Sequence, residues 1–405
     1  MYGFANNWTG ATFDSIERLL FEGESLMYEP KQGVPKYHQL KEYICDQIRR
    51  GELVPGQQLH TENILIQQFK LSRHTVRKAL GDLEKEGWIN REQGRGTFVT
   101  NQVTNKIGCI AVIIKSITNF IFPDIIRGIA GVLSEAKFEM KLFLSGGDPE
   151  LEDEYLGQIL AGEIDGVIIE QAQNLLPSRN IKYFRELERK RVPYLMIHSY
   201  CPDLDPAYVV VDDCLGGYLA TQYLLQLGHQ RIAGIFNIDV KQGIDRQAGY
   251  KKALLEYGIQ PSASLIGQYQ YRTEHSRFPF QFTQELLSRP ERPTAIFCYN
   301  DLDAIRVLDA IRQAKLRVPE DISIIGYNDS SLATVSDVKL TSVKHPKAEL
   351  GREAASFIIS MVKRRIEKPR SVIVPELIIR SSCCRILRML VFWIVFSSGI
   401  KLFAI

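Results

Sequence analysis

Residues 62–98 have the sequence ENILIQQFKLSRHTVRKALGDLEKEGWINREQGRGTF, and this stretch decides the fold of the first part of the chain. Ser72 lies just before a run of residues with helical periodicity, where serine is a favourable N-cap. The apolar residues of that run recur at helical spacing: Val76, Ala79, Leu80 and Leu83. This spacing predicts a helix that buries one stripe and exposes the polar residues of its first turns.

A hairpin is predicted directly after this helix. Gly87 follows the helical run, residues 88–89 and 98–99 are apolar, and residues 94–97, Gly-Arg-Gly-Thr, form the turn between them. Two glycines around an arginine allow a tight tip, which can approach a phosphate or enter a minor groove. The alternative is an ordinary amphipathic helix with a solvated basic face. That alternative does not account for a helix and a wing in this order.

Two further helices are predicted upstream. In the first, the apolar residues again have helical spacing and stop at Gly51: Tyr37, Leu40, Ile44 and Ile48. After the Pro-Gly turn at 55–56, Thr61 is placed to cap a second helix that buries Leu65 and Phe69. The three helices and the hairpin predict a small α+β winged helix-turn-helix domain over residues 35–100.

The basic charge is concentrated where such a domain would contact DNA. The whole chain has a formal net charge of only +3, but residues 70–78 hold four Lys and Arg residues and no acid. Recognition helices offer arginine to guanine edges and short polar groups to phosphates from their first turns. The predicted DNA-binding residues are Lys36, Glu62, Arg73, His74, Thr75, Arg77, Lys78, Gln93, Gly94, Arg95, Gly96 and Thr97.

The composition is that of an ordinary folded protein. A length of 405 residues, with 45% hydrophobic and 24% charged residues, indicates two or three domains. Seven cysteines without a regular spacing favour a reducing compartment over a secreted disulfide scaffold. Residues 1–34 lack the basic start and apolar core of a secretory signal, so we expect a cytoplasmic protein. We expect the same residues to form a disordered extension, because they show little periodicity.

From Ile107 the pattern changes to short apolar strands that alternate with longer amphipathic helices. Eight strand candidates are IGCIAVII, MKLFLS, DGVIIE, PYLMIH, AYVVVD, RIAGIF, TAIFCYN and ISIIGYN. Helices are predicted over residues 123–137, 213–227, 244–257 and 301–315. Such alternation predicts parallel sheets covered on both faces, and its length is too great for one sheet. We therefore predict a two-lobed α/β domain over 107–382, joined to the first domain by a polar linker at 101–106.

The last residues, 383–405, break this alternation. Residues 386–405, ILRMLVFWIVFSSGIKLFAI, have the length of a membrane span, roughly 20 residues. Arg388 and Lys401 lie near the ends, where their charges could reach the interface. A single C-terminal span would be unusual on a DNA-binding protein. We therefore favour a segment foreign to the native protein over a membrane anchor.

Two family resemblances cover most of the chain outside its ends. PKY at 35–37, LSRHTVRKAL at 71–80 and GRGTFV at 94–99 resemble the GntR-type winged helix. One departure is LHTE at 59–62, where that family usually has LPSE; the cap and the acid are retained. IDGVII at 164–169, RQAGY at 246–250 and VPEDISIIGYNDS at 318–330 resemble the LacI/GalR regulatory domain, which is similar to periplasmic sugar-binding proteins.

This pairing resembles the arabinose-responsive repressors of Gram-positive bacteria. The resemblance implies a homodimer that binds double-stranded operator DNA and is released by a small sugar, with L-arabinose the first candidate. The residues themselves indicate only a small polyhydroxylated ligand, so another pentose, a hexose or a purine remains open. No cofactor is implied.

A sugar site requires planar polar groups for paired hydrogen bonds and aromatic rings for the sugar faces. In open α/β sheets such sites lie beyond the carboxyl ends of the strands. The resemblance places a ligand-binding arginine at Arg246, and strand ends and the loops that follow them supply the other candidates. The predicted effector-binding residues are Ser116, Phe120, Phe122, Glu170, Arg246, Asn300, Asp301, Asn328, Asp329 and His345.

Structural roles are the alternatives for the acidic candidates. Asp301 could cap the helix that it begins, Asp213 could do the same, and Asp329 could stabilise a turn with Ser330. Arg246 is harder to explain in this way, because a charge near a buried strand needs a partner.

The sequence gives no support for an enzyme or a metal site. It has no Walker loop, no HExxH, no GxSxG and no complete GxGxxG. A sugar-transport binding protein would share the two-lobed domain, but the DNA-binding domain and the absence of a signal disfavour it. A membrane-tethered regulator depends wholly on the tail.

Overall fold

The computed structural model describes residues 35–100, 108–117, 120–172, 180–270, 277–386, 392–396 and 399–403. The predictions for residues 1–34 and for the linker 101–106 lie outside these ranges. The chain divides into two compact units, residues 1–106 and 107–405, called here the head and the body.

The head has three helices and a two-stranded wing. The helices are α1, Lys36–Arg50; α2, Glu62–Phe69; and α3, Arg73–Lys85. The wing pairs β1, Ile89–Glu92, with β2, Gly96–Val99, in antiparallel register, with Glu92 opposite Gly96.

The predicted caps and core of the head are confirmed. The Ser72 hydroxyl accepts the Thr75 N–H at 3.2 Å, and the Thr61 hydroxyl accepts the Ile64 N–H at 3.5 Å. Gly51 ends α1 with φ of 74°, a conformation that glycine adopts without strain. The predicted apolar stripe of α3 is buried against α1, α2 and the wing.

The body contains two six-stranded sheets, as the alternation predicted. The sheet of the N-lobe, the lobe in which the body begins, contains β3 Gly108–Ile114, β4 Phe138–Leu144, β5 Gly166–Ile169, β6 Tyr194–Ile197, β7 Ala207–Val211 and β13 Arg370–Ile373. All of these strands are parallel, in the spatial order β13-β7-β6-β5-β3-β4.

The sheet of the second lobe, the C-lobe, contains β8 Ile232–Asn237, β9 Ile266–Tyr269, β10 Ala295–Cys298, β11 Ser323–Asn328, β12 Thr341–Lys344 and β14 Glu376–Ile378. Their spatial order is β14-β12-β11-β10-β8-β9, and only the edge strand β14 is antiparallel to its neighbour. The eight strand candidates do not include β12, which is indicated only by LTSVK before His345, and the sequence does not indicate β9, β13 and β14. Each of these last three is a short strand at a sheet edge, where apolar residues are less concentrated.

Helices cover both sheets. Those on the N-lobe are α4 Phe122–Glu135, α5 Pro149–Ala161, α6 Ile181–Arg189 and α12 Lys347–Val362. Those on the C-lobe are α7 Asp213–Gln226, α8 Lys241–Glu256, α9 Phe278–Ser288, α10 Asp301–Gln313 and α11 Leu332–Val335.

Two helices follow a strand of one lobe and pack on the other. Helix α7 follows β7 of the N-lobe and packs against α8 of the C-lobe, where a Cβ on Gly217 would lie 2.1 Å from the Arg246 carbonyl oxygen. Helix α12 follows β12 of the C-lobe and packs against α4 of the N-lobe, where a Cβ on Gly351 would lie 2.2 Å from the Ile125 carbonyl oxygen. These close helix contacts fix the starts of α7 and α12 at the cleft between the lobes.

The tail differs from the prediction at both ends. Residues 383–386 belong to the C-lobe: the Ile386 N–H donates to the Leu227 carbonyl at 2.9 Å, and His229 Nε2 lies 3.1 Å from the Cys384 carbonyl. Further on, Phe392–Phe396 and Gly399–Phe403 form an antiparallel pair, β15 and β16. Within the described ranges, no helix is both long enough and apolar enough to cross a membrane.

Candidate operator interface and effector cleft

The face of α3 that is predicted to contact DNA is exposed, and few contacts within the protein hold its side chains. Arg73, His74, Arg77 and Lys78 are exposed, and Thr75 is partly buried beside its cap. Arg77 Nε donates to Glu62 Oε2 at 2.9 Å, and Arg73 Nη2 donates to Asn63 Oδ1 at 3.3 Å. Lys78 Nζ lies 3.8 Å from the centre of the Tyr37 ring. These contacts orient the basic groups without removing them from solvent, and Lys36 is also exposed.

The wing presents its tip in the same way. Gln93, Gly94, Arg95 and Gly96 are exposed, and Thr97 is partly buried. Gly94 and Gly96 have φ of 78° and 129°, in the region that disfavours side chains. Gln58 Nε2 supports the tip by donating to the Arg95 carbonyl at 3.0 Å, and a Cβ on Gly96 would lie 2.4 Å from the same nitrogen.

In the body, a cavity of about 740 Å³ lies between the two lobes. This volume is within the usual range for small-molecule sites, roughly 300–1,000 Å³. All of the predicted effector residues except Asp329 line it: Ser116, Phe120, Phe122, Glu170, Arg246, Asn300, Asp301, Asn328 and His345. Parallel strands that end at one edge bring these distant residues together.

Asp329 does not line the cavity. Its carboxylate accepts Arg380 Nη2 at 2.6 Å, and its backbone N–H donates to Ser342 Oγ at 3.0 Å. Asp329 therefore ties the end of β11 to the chain after β14. It does not face a ligand.

Arg246 is held rigidly at the wall formed by the C-lobe. Its Nε donates to Asp213 Oδ1 at 2.8 Å and its Nη1 to the Tyr299 carbonyl at 2.6 Å, while the guanidinium lies 3.5 Å from the centre of the Tyr327 ring. Burial disfavours the charge, but the Asp213 carboxylate more than compensates and holds the Arg246 pKa above its ordinary value. The arginine is thus a charged, pre-oriented group with a buried partner.

Asp213 and Asp301 do not have the helix-capping roles that the sequence left open for them. Helix α7 is capped by Asp212, whose Oδ1 accepts the Leu215 N–H at 2.8 Å, so Asp213 is free to pair with Arg246. Helix α10 is capped by Asn300, whose Oδ1 accepts the Asp303 N–H at 2.8 Å. Asp213 and Asp301, the two aspartates that could have capped these helices, therefore do not cap them.

The carboxylate of Asp301 accepts hydrogen bonds from Ser342 Oγ at 2.6 Å and from the Ser330 N–H and Oγ at 2.7 and 2.8 Å. Burial raises its pKa to about 6, although the serine hydrogen bonds oppose the change. Asp301 therefore lies at the cavity wall with its oxygens already committed within the protein.

The wall formed by the N-lobe has a second buried charge cluster. Glu170 Oε2 accepts the Lys115 N–H at 3.3 Å, and Lys115 Nζ lies 3.7 Å from Glu170 Oε1. His198 Nδ1 is 3.2 Å from the same Oε1. Burial alone would raise the Glu170 pKa, but the Lys115 ammonium and the His198 ring hold it below its ordinary value.

Among the buried polar atoms of the cavity wall, His198 Nε2, Asn328 Oδ1 and His345 Nδ1 have no hydrogen-bond partner among the described residues. The His198 and His345 rings contact each other edge to face, with their centres 5.1 Å apart. This is a direct contact between the N-lobe and the C-lobe. Burial and neighbouring cations keep the His345 pKa well below its ordinary value, so its ring is neutral. Unpaired buried polar atoms are costly, and a ligand with hydroxyl groups would satisfy them.

Aromatic rings also contribute to the cavity. Phe120 is 42% exposed, so its ring is available to a ligand. Phe122 is buried and contacts the His198 ring edge to face, with centres 5.6 Å apart. It therefore supports a wall residue as well as lining the cavity.

Several lining residues were not predicted, among them Lys115, His198, Asn237, Gln242 and Tyr299. His198 ends the strand candidate PYLMIH and Lys115 follows IGCIAVII, so the same strand-end argument would have identified both. Gln242 lies within α8, and no pattern in the sequence marks it.

The two units match two known families. Residues 36–99 match the gntR family of bacterial regulatory proteins, and residues 221–383 match the periplasmic binding protein-like domain. The arabinose metabolism transcriptional repressor of Halalkalibacterium halodurans is 39% identical over 86% of this chain and 96% of its own length. The protein of the same name from Geobacillus stearothermophilus is 40% identical over 87% and 98%.

Two solved structures with a similar fold are those of regulators. The transcriptional regulator CelR–cellobiose complex has a TM-score of 0.60 and 27% identity, over 79% of this chain and 94% of that one. A LacI family regulator from Enterococcus faecium with bound ribose has a TM-score of 0.59 and 26% identity, over 69% and 100%. Both of those regulators were solved with a sugar.

Proposed function

Because the chain belongs to the family of the arabinose metabolism transcriptional repressors, we propose that L-arabinose is the sugar that releases it from its operator. The protein is a sugar-responsive transcriptional repressor that binds operator DNA, a class without enzymatic activity. The identity of the sugar, the residues that bind it and the dimeric state are parts of the proposal.

The observation that carries the proposal is the set of unpartnered buried atoms on His198, Asn328 and His345. They lie on both lobes, and each can exchange a hydrogen bond with a hydroxyl group. A monosaccharide offers several hydroxyls on a small rigid ring, which suits three fixed partners in one cavity. Asp301 would not contribute, because its oxygens are already used.

The charges of the cavity favour a neutral ligand. Arg246 is paired with Asp213, and Lys115 with Glu170. An amino acid or a phosphorylated sugar would bring an anionic group to two cations whose charges are already balanced by buried carboxylates, so it would gain little and would lie near those carboxylates. A free sugar can instead accept a hydrogen bond from Arg246 while the pair with Asp213 remains intact.

A sugar held by both lobes would favour the closed form of the body. Such a ligand shifts the equilibrium only as far as its affinities for the two forms differ, typically by about 1–3 kcal/mol. We infer that two copies of the chain bind an operator with twofold symmetry and that closure separates or reorients the two heads. The proposed contacts to DNA are the exposed residues of α3 and of the wing tip.

Calorimetric titration of the full chain with L-arabinose, D-ribose, D-galactose and hypoxanthine tests the effector. We expect L-arabinose to bind at least about tenfold more tightly than the other three. Tighter binding of another sugar or of hypoxanthine would replace L-arabinose as the effector.

Substitution His345→Phe tests the site itself, because it keeps the ring and removes the unpartnered nitrogen. We expect L-arabinose affinity to fall about tenfold, with the stability of the sugar-free protein unchanged or raised. A variant with unchanged affinity would remove His345 from the binding site.

A further inference from the structure

Glu152 is a buried acid next to the effector cleft that the proposed mechanism does not use. It lies on α5, its side chain is 1% exposed, and it does not itself line the cavity. Its Oε2 accepts the backbone N–H of Ala172 at 2.5 Å, and its Oε1 accepts a short hydrogen bond from Asn180 Nδ2. One side chain thus connects α5 to Ala172, which lines the cavity, and to Asn180 at the start of α6.

The position of Ala172 matters because it follows Glu170 closely. Glu170 leaves β5 and meets Lys115 and His198 at the wall formed by the N-lobe. The Glu152 hydrogen bond holds the backbone two residues further on. Without it, the segment that carries Glu170 would lose one of its anchors.

The acid has few groups that stabilise its charge. The titratable groups that face it are Lys115 after β3, Glu170 after β5 and Asp153 on its own helix. Burial raises the Glu152 pKa to about 7, against the hydrogen bond from Ala172 and the Lys115 charge. An apolar residue would fill this space at lower cost, so the carboxyl group is explained by its hydrogen bonds.

The hydrogen bonds do not depend on the charge. Asn180 Oδ1 is buried without a partner among the described residues. If Glu152 is protonated, rotation of the Asn180 amide lets the acid O–H donate to that oxygen, while the other carboxyl oxygen still accepts from Ala172. A glutamine at position 152 could make the same two bonds through its amide nitrogen and oxygen.

We propose that Glu152 is a positioning residue for effector binding, which holds the Glu170–Ala172 wall of the cavity by linking Ala172 to Asn180. This inference rests on the proposed function, because the wall matters only if the cleft takes the effector. Glu152 itself does not contact the ligand.

The test compares Glu152→Met, which keeps the length and removes both hydrogen bonds, with Glu152→Gln, which keeps both. Two readouts are measured on the full chain: amide hydrogen exchange of a peptide spanning 166–172, without sugar, and calorimetric affinity for L-arabinose. Glu154→Met is the matched control, because Glu154 is exposed on the same helix. Asn180→Ala removes the other partner and serves if Glu152→Met does not fold.

We expect Glu152→Met to increase exchange in the 166–172 peptide at least about tenfold and to weaken L-arabinose binding by a similar factor. Asn180→Ala should weaken binding less, because the bond to Ala172 remains. Glu152→Gln and the control should stay within about twofold of the parent on both readouts.

Unchanged exchange and affinity in Glu152→Met, or equal damage from Met and Gln, would overturn the positioning role. If the parent protein takes up no L-arabinose, the proposed effector is wrong, and the exchange experiment still decides whether Glu152 holds the wall.

Discussion

Two arginine–carboxylate pairs of nearly equal length differ in burial, and we propose that they differ in role. In the head, Arg77 Nε lies 2.9 Å from Glu62 Oε2, and the two side chains are 61% and 29% exposed. In the body, Arg246 Nε lies 2.8 Å from Asp213 Oδ1, and the side chains are 4% and 5% exposed. Distance does not distinguish them, but burial does. The exposed pair can exchange its partner for DNA at little cost, whereas the buried pair is a fixed part of the cleft.

The largest expected effect comes from breaking the buried pair. Asp213→Leu should cost about 3–5 kcal/mol of the free energy of unfolding of the body, because it leaves a buried guanidinium without a counter-charge. In the head, Glu62→Leu should cost less than about 1 kcal/mol. Denaturant unfolding of both variants makes the comparison.

The double variant Asp213→Leu/Arg246→Met sharpens this test. Removing both charges should restore most of the lost stability without restoring the response to sugar. Equal losses for Asp213→Leu and Glu62→Leu would mean that burial does not separate the two pairs.

The next effect concerns the wing. Gly96→Val places a side chain at φ of 129° and against Gln58 Nε2, so strain of about 1–3 kcal/mol should displace the tip. Operator affinity should fall at least about tenfold in gel-shift titrations, with calorimetric sugar affinity unchanged. The control is Gly81→Ala, because Gly81 lies in α3 with open space around it and no positive φ. Loss of both activities in Gly96→Val would indicate general unfolding, and unchanged operator binding would remove the wing from the interface.

A pH effect of similar size is expected in the body. Folding raises the pKa of Glu152 from 4.5 to about 7, so the folded state binds more protons than the unfolded state in this range. Stability should therefore fall as pH rises from about 4.5 to about 7, and Glu152→Gln should remove about 1–3 kcal/mol of that fall. Asp301 and Asp303, which also have raised pKa values, contribute equally in both proteins. Parallel stability–pH curves for parent and variant would refute the assignment.

We expect the smallest change in stability from substitutions on the exposed basic face of α3. Arg77→Ala should leave folding nearly unaffected but cost about 1–3 kcal/mol of operator affinity and relax sequence preference. Lys78→Ala should weaken binding to operator and scrambled DNA alike and reduce the salt dependence. Gel shifts on both DNAs at several salt concentrations separate the two. If Arg77→Ala retains its sequence preference, α3 does not read bases through Arg77.

The sequence predicted most of this architecture because periodic signals are local. The caps at Ser72 and Thr61, the stripe of α3 and the eight apolar strands all depend on neighbours within one element. Nine of the ten proposed effector residues line one cavity: Arg246 is proposed from the family resemblance, and the others from strand ends and the loops that follow them. The residue roles that the sequence does not predict are determined by tertiary contacts. Asp212 caps α7, so Asp213 pairs with Arg246, and the Asp329 carboxylate accepts a hydrogen bond from Arg380. Likewise, Glu152 on α5 accepts hydrogen bonds from Ala172 and Asn180, which lie outside that helix, and no local pattern indicates these contacts.

We propose that the buried Arg246 belongs to the response to sugar and the exposed Arg77 to DNA binding. Fluorescence anisotropy of a labelled operator, selected from random DNA with the protein itself, tests it most directly when L-arabinose is titrated into complexes of the parent and of Asp213→Leu/Arg246→Met, which leaves no buried charge unpaired. We predict that both proteins bind operator with the same affinity, that the parent is released by the sugar, and that the double variant needs at least about tenfold more sugar for release. Release of the double variant at the same sugar concentration as the parent would contradict this assignment.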